Sequence, residues 1–371
     1  MKKIAILGAD KNLYGFYTQA KSLGYYIVGI AWPEGAVCKD LCDVFYPVSF
    51  SDKEQVVEIC RKEKVDGITS FTLESALPTL VFVAQRLGLT SNTEECMKRV
   101  ATKYTQREAF QAAGLPTPLH LLATEQNQSQ IQVDTYPVII KPVDSGGSKG
   151  VFKVNSPADL QSALSKAIQC SKSHTAIVEE YIDGREFSVE YLSHNGKHYF
   201  CQLTDKVTSG EPNFIELQHH QPADVSEELR QRICATTEAA LTALKIENSP
   251  SHTEIKLNSK NELYIIEIGA RLGGDKITER LVKLSTGIDF VAETLKLATG
   301  DFTPPQKLYN KYSGVYFYSK LAPNIGELIK HANKYPELVD THLTNDVLEE
   351  VHSSAERNGY AIYQADHKFV Y

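Results

Sequence analysis

The chain has 371 residues, 42% of them hydrophobic, and its 39 Lys and Arg against 46 Asp and Glu leave a net charge of −7. A chain of this length can bury a large core and supports two or three domains, while an acidic balance without a basic run argues against nucleic acid as a partner, so any phosphate binding must be local. No apolar stretch approaches the roughly 18 residues of a membrane span, and the apolar part of the opening Met1-Lys-Lys-Ile-Ala-Ile-Leu-Gly-Ala-Asp is too short for a signal peptide, so a cytoplasmic protein with no membrane partner is expected.

Lys3 to Leu7 reads as an apolar strand, Gly8 to Gly15 turns into a helical stretch, and Tyr26 to Ala31 returns as a second strand, a βαβ opening. Cys38 and Cys42 lack a second pair or a nearby His to complete a zinc site, and seven cysteines, an odd number, suit reduced thiols better than a disulfide framework. Strands at Val44 to Val48 and Gly67 to Ser70, with helices near Glu54 to Glu63 and Ser75 to Leu87, extend a parallel, Rossmann-like sheet to about residue 95. The Gly8 to Gly15 loop lacks Gly-x-Gly-x-x-Gly spacing and no acidic residue ends the second strand, so a substrate-facing loop at the sheet's carboxyl edge is expected rather than a dinucleotide site.

A helical stretch over 97–113 ends at Gly114-Leu-Pro-Thr-Pro118, where Gly and two prolines start an extended segment and mark a boundary. A strand at Val138 to Lys141, a Gly-rich loop, a strand at Phe152 to Val154 and a helix over Pro157 to Cys170 form a small lobe. Strands dominate Ala176 to Cys201, followed by a helix over Ser226 to Leu244, a hairpin, a helix over Lys276 to Thr299 and a mixed tail from Lys311 to Tyr371.

The hairpin is the most informative segment. His252, Glu254 and Lys256 alternate with Thr253, Ile255 and Leu257, and Tyr264, Ile266 and Ile268 alternate with Ile265 and Glu267 beyond a polar turn. A turn centred between Lys260 and Asn261 sets Glu254 opposite Glu267, with Cβ atoms roughly 5 Å apart. Like charges there need compensation, by Arg271 or by a hard divalent cation such as Mg²⁺ that also contacts nucleotide phosphates. Upstream, Lys141-Pro-Val-Asp-Ser-Gly-Gly-Ser-Lys-Gly150 sets a lysine at a strand end before a loop whose backbone N–H groups can close on phosphate oxygens, although no Gly-Lys-Ser/Thr makes it a Walker A loop. Val178-Glu-Glu-Tyr-Ile-Asp-Gly-Arg-Glu-Phe-Ser-Val-Glu190 sets Glu186, Ser188 and Glu190 on one strand face, either solvated or accepting bonds from a ribose or an adenine amine.

In this order and spacing, Lys103, Val-Ile-Ile-Lys141 with its Gly/Ser loop, Glu-Glu-Tyr-Ile-Asp-Gly-Arg-Glu186, His-Thr-Glu254 and Ile-Glu267-Ile-Gly-Ala-Arg271-Leu-Gly-Gly resemble the ATP-grasp superfamily, in its carboxylate–amine ligase branch. The resemblance covers nearly the whole chain. It implies an α/β chain of α+β lobes, in which a Rossmann-like pre-ATP-grasp domain (1–96) precedes a nucleotide-binding and catalytic region (97–300, small lobe about 118–180), and 301–371 completes the catalytic lobe. It implies ATP held by Lys103, Lys141 and the loop residues Ser145, Gly146, Gly147, Ser148 and Gly150, with Glu179 accepting the adenine amine, Tyr181 and Ile182 as the hinge and Glu186 on the ribose. Glu254 and Glu267 match magnesium ligands, with Mn²⁺ an accepted substitute. Arg271, with Gly273 and Gly274, matches the residues that hold the substrate carboxylate and its acyl phosphate, and Arg271, Lys141 and Glu267 form the implied catalytic set.

Many members read Glu-x-Asn-x-Arg where this chain has Glu267-Ile-Gly269-Ala-Arg271, so the amide ligand usual for a second metal is missing and one or two ions remain open. Some amino-acid ligases share that absence. They also resemble the chain at Phe214-Ile-Glu216-Leu-Gln-His219-His220-Gln-Pro222, where Glu216 and His219 would line an amino-acid pocket, unless His219 is simply a capped loop histidine. The implied activity is an ATP-dependent ligase joining a small carboxylate to an amine. The runners-up are a bicarbonate-activating carboxylase of the same superfamily and a non-catalytic nucleotide-binding module. Dimerisation is expected by analogy alone.

Overall fold

The computed structural model describes residues 1–371 apart from Ser148, Pro212 and Asp346. At the N-terminus β1 (Lys3–Leu7), β2 (Tyr26–Ile30), β3 (Val44–Tyr46) and β4 (Gly67–Thr69) form a parallel sheet in the order β3-β2-β1-β4. Its inner strands are apolar on both faces because both faces are covered. Ala5, Leu7, Val28 and Ile30 pack towards α2 (Lys53–Glu63) and α3 (Leu77–Leu87). Ile4, Ile6 and Ile27 face α1 (Tyr14–Ser22) and the distant Phe290 and Leu295, so this sheet shares a core with the C-terminal part of the chain. Gly67 is required at that contact, because a Cβ there would meet the Ala298 carbonyl oxygen at 2.3 Å.

The stretch expected as one helix over 97–113 is two, α4 (Glu94–Val100) and α5 (Lys103–Ala112). Thr102 breaks them: its hydroxyl accepts from the Thr105 N–H while the Thr105 hydroxyl accepts from the Thr102 N–H, a capping box that sets Lys103 at the first helical position. The small lobe is a sheet of β5 (His120–Thr124), β6 (Val138–Pro142), β7 (Phe152–Val154) and β8 (Thr175–Glu180) in the order β5-β8-β6-β7. Across it lies α6 (Pro157–Cys170), burying Leu160, Ala163, Leu164, Ala167 and Ile168 at helical spacing.

The largest sheet is antiparallel, in the order β13-β12-β9-β10-β11-β14-β16-β15. β9 (Arg185–His194) and β10 (Lys197–Thr208) turn through Asn195-Gly196, both at positive φ, as a two-residue hairpin requires. β11 (Glu216–Gln221) follows, α7 (Glu227–Ala243) packs Ile233, Ala240 and Leu241 into the core, and β12 (Ser249–Leu257) and β13 (Leu263–Gly269) form the carboxylate hairpin. The helix expected over 276–299 is interrupted. A single π turn over Ile277–Leu281 leads into α8 (Val282–Thr286), which stops at Gly287 with φ +81°, and Asp289 then caps α9 (Phe290–Ala298) by accepting from the Ala292 N–H. β14 (Tyr312–Tyr318), β15 (Leu338–Leu343) and β16 (Gly359–Ala365) extend the same sheet, and α10 (Ile325–Lys330) packs Ile325 and Leu328 against them. All seven cysteines are free thiols, and no helix among the described residues is long and apolar enough to cross a membrane.

Candidate active site

A cavity of about 340 Å³ opens between the small lobe and the large sheet. Its floor is the β12/β13 hairpin. From the turn inward the register runs Leu257↔Leu263 to Ile255↔Ile265, a turn centred on Lys260 rather than beyond it; a bulge at Ile266 then shifts the pairing by one residue and aligns Glu254 with Glu267. Without that extra residue Glu254 would face Ile266, so the bulge is what unites the carboxylates.

Their repulsion is compensated by two lysines rather than by Arg271. Lys103 Nζ donates to Glu267 Oε1 at 2.9 Å and to the Ser145 carbonyl at 2.8 Å. Lys206, on β10, donates to Glu254 Oε1 at 2.8 Å and lies 2.6 Å from Glu186 Oε1. Burial alone would raise the Glu254 carboxyl, but Lys206 and then His252 outweigh it and hold the group well below the usual carboxylate range. Arg271 is instead engaged by Glu74 of the N-terminal domain at 2.9 Å and by the Leu272 carbonyl at 2.9 Å.

Lys141, at the end of β6, lies 2.7 Å from Glu179 Oε2, while Arg107 donates from Nε to Glu179 Oε1 at 2.6 Å. Burial opposes the charge on Glu179, yet the guanidinium and the ammonium prevail and hold its carboxyl down at about 2. Glu179 thus enters the cavity wall as a fixed anion with both oxygens engaged. Tyr181 and Ile182 follow it on the wall, and Lys153 lies 4.0 Å over the Tyr181 ring.

Of the residues expected in the site, Lys103, Lys141, Ser145, Gly146, Gly147, Glu179, Tyr181, Ile182, Glu186, Glu216, His219, Glu254, Glu267, Arg271 and Gly274 line this one cavity. Ser148 lies outside the described residues. Gly150 and Gly273 do not line the cavity. At φ +74° Gly150 packs where a Cβ would meet Cys170 at 2.9 Å, and Gly273 leaves room for the His252 ring, whose Nδ1 a Cβ would meet at 2.6 Å. His219 is a strand residue of β11, not a capped loop histidine. It is buried, edge-on to Phe317 with ring centroids 5.5 Å apart, and neither ring nitrogen has a hydrogen-bond partner; the nearest carboxylate oxygen, Oδ2 of Asp275, is 3.8 Å from Nε2. Glu216 accepts from the Ser354 hydroxyl and lies 3.9 Å from Lys206.

Lys206, Glu74, Asp275 and Arg357 were not anticipated. Arg357 reaches in from the C-terminal segment, stacks 3.7 Å over the Phe317 ring and grips Asp275 at 2.5 and 3.2 Å. His252, noted only for its place in the alternation, bonds Glu190 at 2.6 Å, and although burial disfavours its charge, Glu190 pushes the imidazole up to about 9.

No group of three or more His, Cys, Asp or Glu among the described residues converges to hold a metal unaided. Two adjacent carboxylates are nevertheless what Mg²⁺ needs when phosphate oxygens and water complete its octahedron, so Glu254 and Glu267 fit that ion.

Residues 134–279 match the family model of the ATP-grasp domain. The alanine–anticapsin ligase of Bacillus subtilis (strain 168) is 24% identical over 255 residues, covering 62% of this chain and 53% of that protein. The chain spans about half the length of the curated relatives it matches. Among solved structures, the L-amino acid ligase from Bacillus licheniformis aligns with a TM-score of 0.81 at 24% identity, covering 99% of this chain and 94% of that one. Phosphoribosylglycinamide synthetase from Anaerococcus prevotii aligns at 0.76 and 20% identity, again over 99% and 94%. The chain therefore has the ATP-grasp fold, carries an ATP-grasp domain at residues 134–279, and is similar to the carboxylate–amine ligases of that superfamily, the L-amino acid ligases among them.

Proposed function

We propose that this chain is an ATP-dependent carboxylate–amine ligase that forms an amide or peptide bond on an amino acid or similar small acid through an acyl phosphate. The observation that carries this reading is the convergence of Arg271 with Lys103, Lys141 and the paired Glu254 and Glu267 on one cavity. A carboxylate attacks another anion poorly, so the triphosphate must be neutralised and the acid held in line. Lys103 and Lys141 supply two buried positive charges, and the N–H groups of Gly146 and Gly147 are free to approach phosphate oxygens because neither position is crowded. Glu254 and Glu267 would hold Mg²⁺, or Mn²⁺ in its place, which when bound supplies further neutralisation of phosphate charge.

Arg271 has the two-pronged donor geometry that seats a carboxylate and steadies the oxyanion formed when the amine attacks. Its pairing with the Glu74 carboxylate at 2.9 Å supports that role. Glu216, Asp275 and the open ring nitrogens of His219 then face the amino group of an amino-acid substrate, a larger polar pocket than bicarbonate needs. The alanine–anticapsin and L-amino acid ligases among similar proteins support the same reading.

The test is ADP and phosphate release across pairs from an amino-acid panel. The expected result is release that depends on both an added acid and an added amine, with a new amide detected by mass spectrometry. Full release with bicarbonate alone would replace this reading by a carboxylating one, and no release with any acid would leave a nucleotide-binding module.

A further inference from the structure

The loop joining β10 to β11 carries Phe214, among the described residues one of two non-glycine residues of the cavity wall at positive φ, the other being Asp275. Phe214 has φ +49°, a left-handed conformation that a bulky aromatic residue adopts only when its surroundings impose it, and such strain collects where a side chain must be presented in one direction. The surroundings here are explicit. The Ser209 N–H donates to the Ile215 carbonyl at 2.8 Å, the Phe214 N–H to the Gly210 carbonyl at 2.8 Å, and the Ile215 N–H to the Ser209 hydroxyl at 3.1 Å. Outside the loop, Asn213 donates to the Val351 carbonyl at 3.2 Å and Glu211 pairs with Lys153 of the small lobe.

Phe214 lines the cavity two residues before Glu216, on the wall that also carries His219 and Ile277. Glu216 and His219 are polar; Phe214 and Ile277 are the apolar surface beside them. An amino acid with its amino group towards Glu216 and its carboxylate towards Arg271 has one substituent left, its side chain, and Phe214 and Ile277 are the apolar surface that this wall offers it. Lys153 adds a link to the nucleotide side, since the ammonium that pairs with Glu211 also lies 4.0 Å over the ring of Tyr181.

We propose that Phe214 is the wall that limits the side chain of the acid substrate to a compact apolar group, and that Lys153 of the small lobe, through Glu211, clamps the loop that carries it. This rests on the ligase reading and adds to it a substrate class and the residue that selects it.

The test uses the full chain with ATP, Mg²⁺ and hydroxylamine as a general amine, which converts an acyl phosphate to a hydroxamate with loss of phosphate. The quantity read is the ratio of kcat/KM for alanine to that for phenylalanine. In the unaltered chain alanine is favoured. Phe214→Ala lowers the ratio by about tenfold or more, the scale on which an apolar pocket discriminates by size, and Phe214→Leu, which keeps apolar bulk, restores most of it. Glu211→Gln lowers the ratio in the same direction with little change in melting temperature, because Glu211 is itself about half exposed and its amide can still accept from Lys153. Amino-acid-dependent turnover with a ratio unmoved by Phe214→Ala overturns the wall and leaves the ligase reading standing; a ratio unmoved by Glu211→Gln overturns the clamp. Absence of amino-acid-dependent turnover in the unaltered chain overturns both readings together.

Discussion

A Cβ at Gly269 would lie 3.2 Å from Cζ of Arg271 and 3.3 Å from its Nε, so the arginine lies folded over the space that a side chain at 269 would fill. The residue paired with Gly269 across the hairpin is His252, itself tied to the fully buried Glu190. The departure from Glu-x-Asn-x-Arg therefore has a local cause: the missing side chain gives Arg271 its resting place, and through it the contact with Glu74.

Gly269→Ala should displace the guanidinium by a few tenths of an ångström without straining the backbone. Small misplacements of a positioning group are costly, so kcat/KM for the acid is expected to fall by about tenfold while the KM for ATP changes little. Steady-state kinetics with each substrate varied in turn checks this; equal loss on both would point to a general distortion.

Glu267→Gln removes one carboxylate charge and leaves Lys103 buried beside an amide. Turnover is expected to fall by more than about 10²-fold, together with a stability loss of about 1–3 kcal/mol from the unpaired ammonium. Glu254→Gln differs in one respect, because Lys206 keeps Glu186 at 2.6 Å and the stability loss should be smaller. Mn²⁺ binding followed by electron paramagnetic resonance, with urea titrations of both variants, separates the metal role from the ion-pair role.

Arg271→Lys keeps the charge and loses the fork. Amide formation should fall by about 10²-fold with a smaller effect on ATP affinity. Retention of full activity would show that the acid is held elsewhere.

The N-terminal βαβ pattern, the Gly-rich loop and the alternation on the hairpin are all short-range, and they were legible because side-chain period and turn residues report local structure directly. The pairing of Glu254 with Glu267 was anticipated with a symmetric turn, whereas the structure reaches it by a bulge at Ile266 that no residue pattern announces. Lys206 could not be read at all. Its contact with Glu254 depends on β9 lying between β10 and β12, a matter of sheet order rather than of spacing. Glu74 and Arg357 were hidden for the same reason, the one being brought to Arg271 from some 200 residues upstream and the other to Asp275 from some 80 residues downstream. The helix expected over 276–299 failed on Gly287 and Asp289, a stop and a cap that apolar periodicity outweighed.

His220 gives the last prediction. It is buried on β11 beside β14, with Nδ1 2.9 Å from the hydroxyl of Tyr363 on β16 and Nε2 2.9 Å from Gln218, and burial, helped by Lys368, pushes its pKa down to about 3. In the unfolded chain the ring titrates near 6.5, so below that pH the unfolded state binds a proton that the folded state refuses. The contribution to stability is thus whole above about pH 6.5 and is lost progressively as pH falls from there towards 3, with a slope of at most about 1.4 kcal/mol per pH unit. Glu179, held at about 2 by Arg107 and Lys141 against burial, adds a loss of the same sign only below its unfolded value near 4.5. Between pH 6.5 and 4.5 the slope therefore belongs mainly to His220 and to any other histidine buried neutral, such as His198, whose pKa burial also lowers. Urea unfolding at half-unit steps over that interval should show stability falling with pH in the native chain. His220→Asn, which keeps a polar group for Tyr363 but cannot titrate, should flatten the fall. An unchanged slope in the variant would mean that the ring is protonated, or accessible to water, in the folded state.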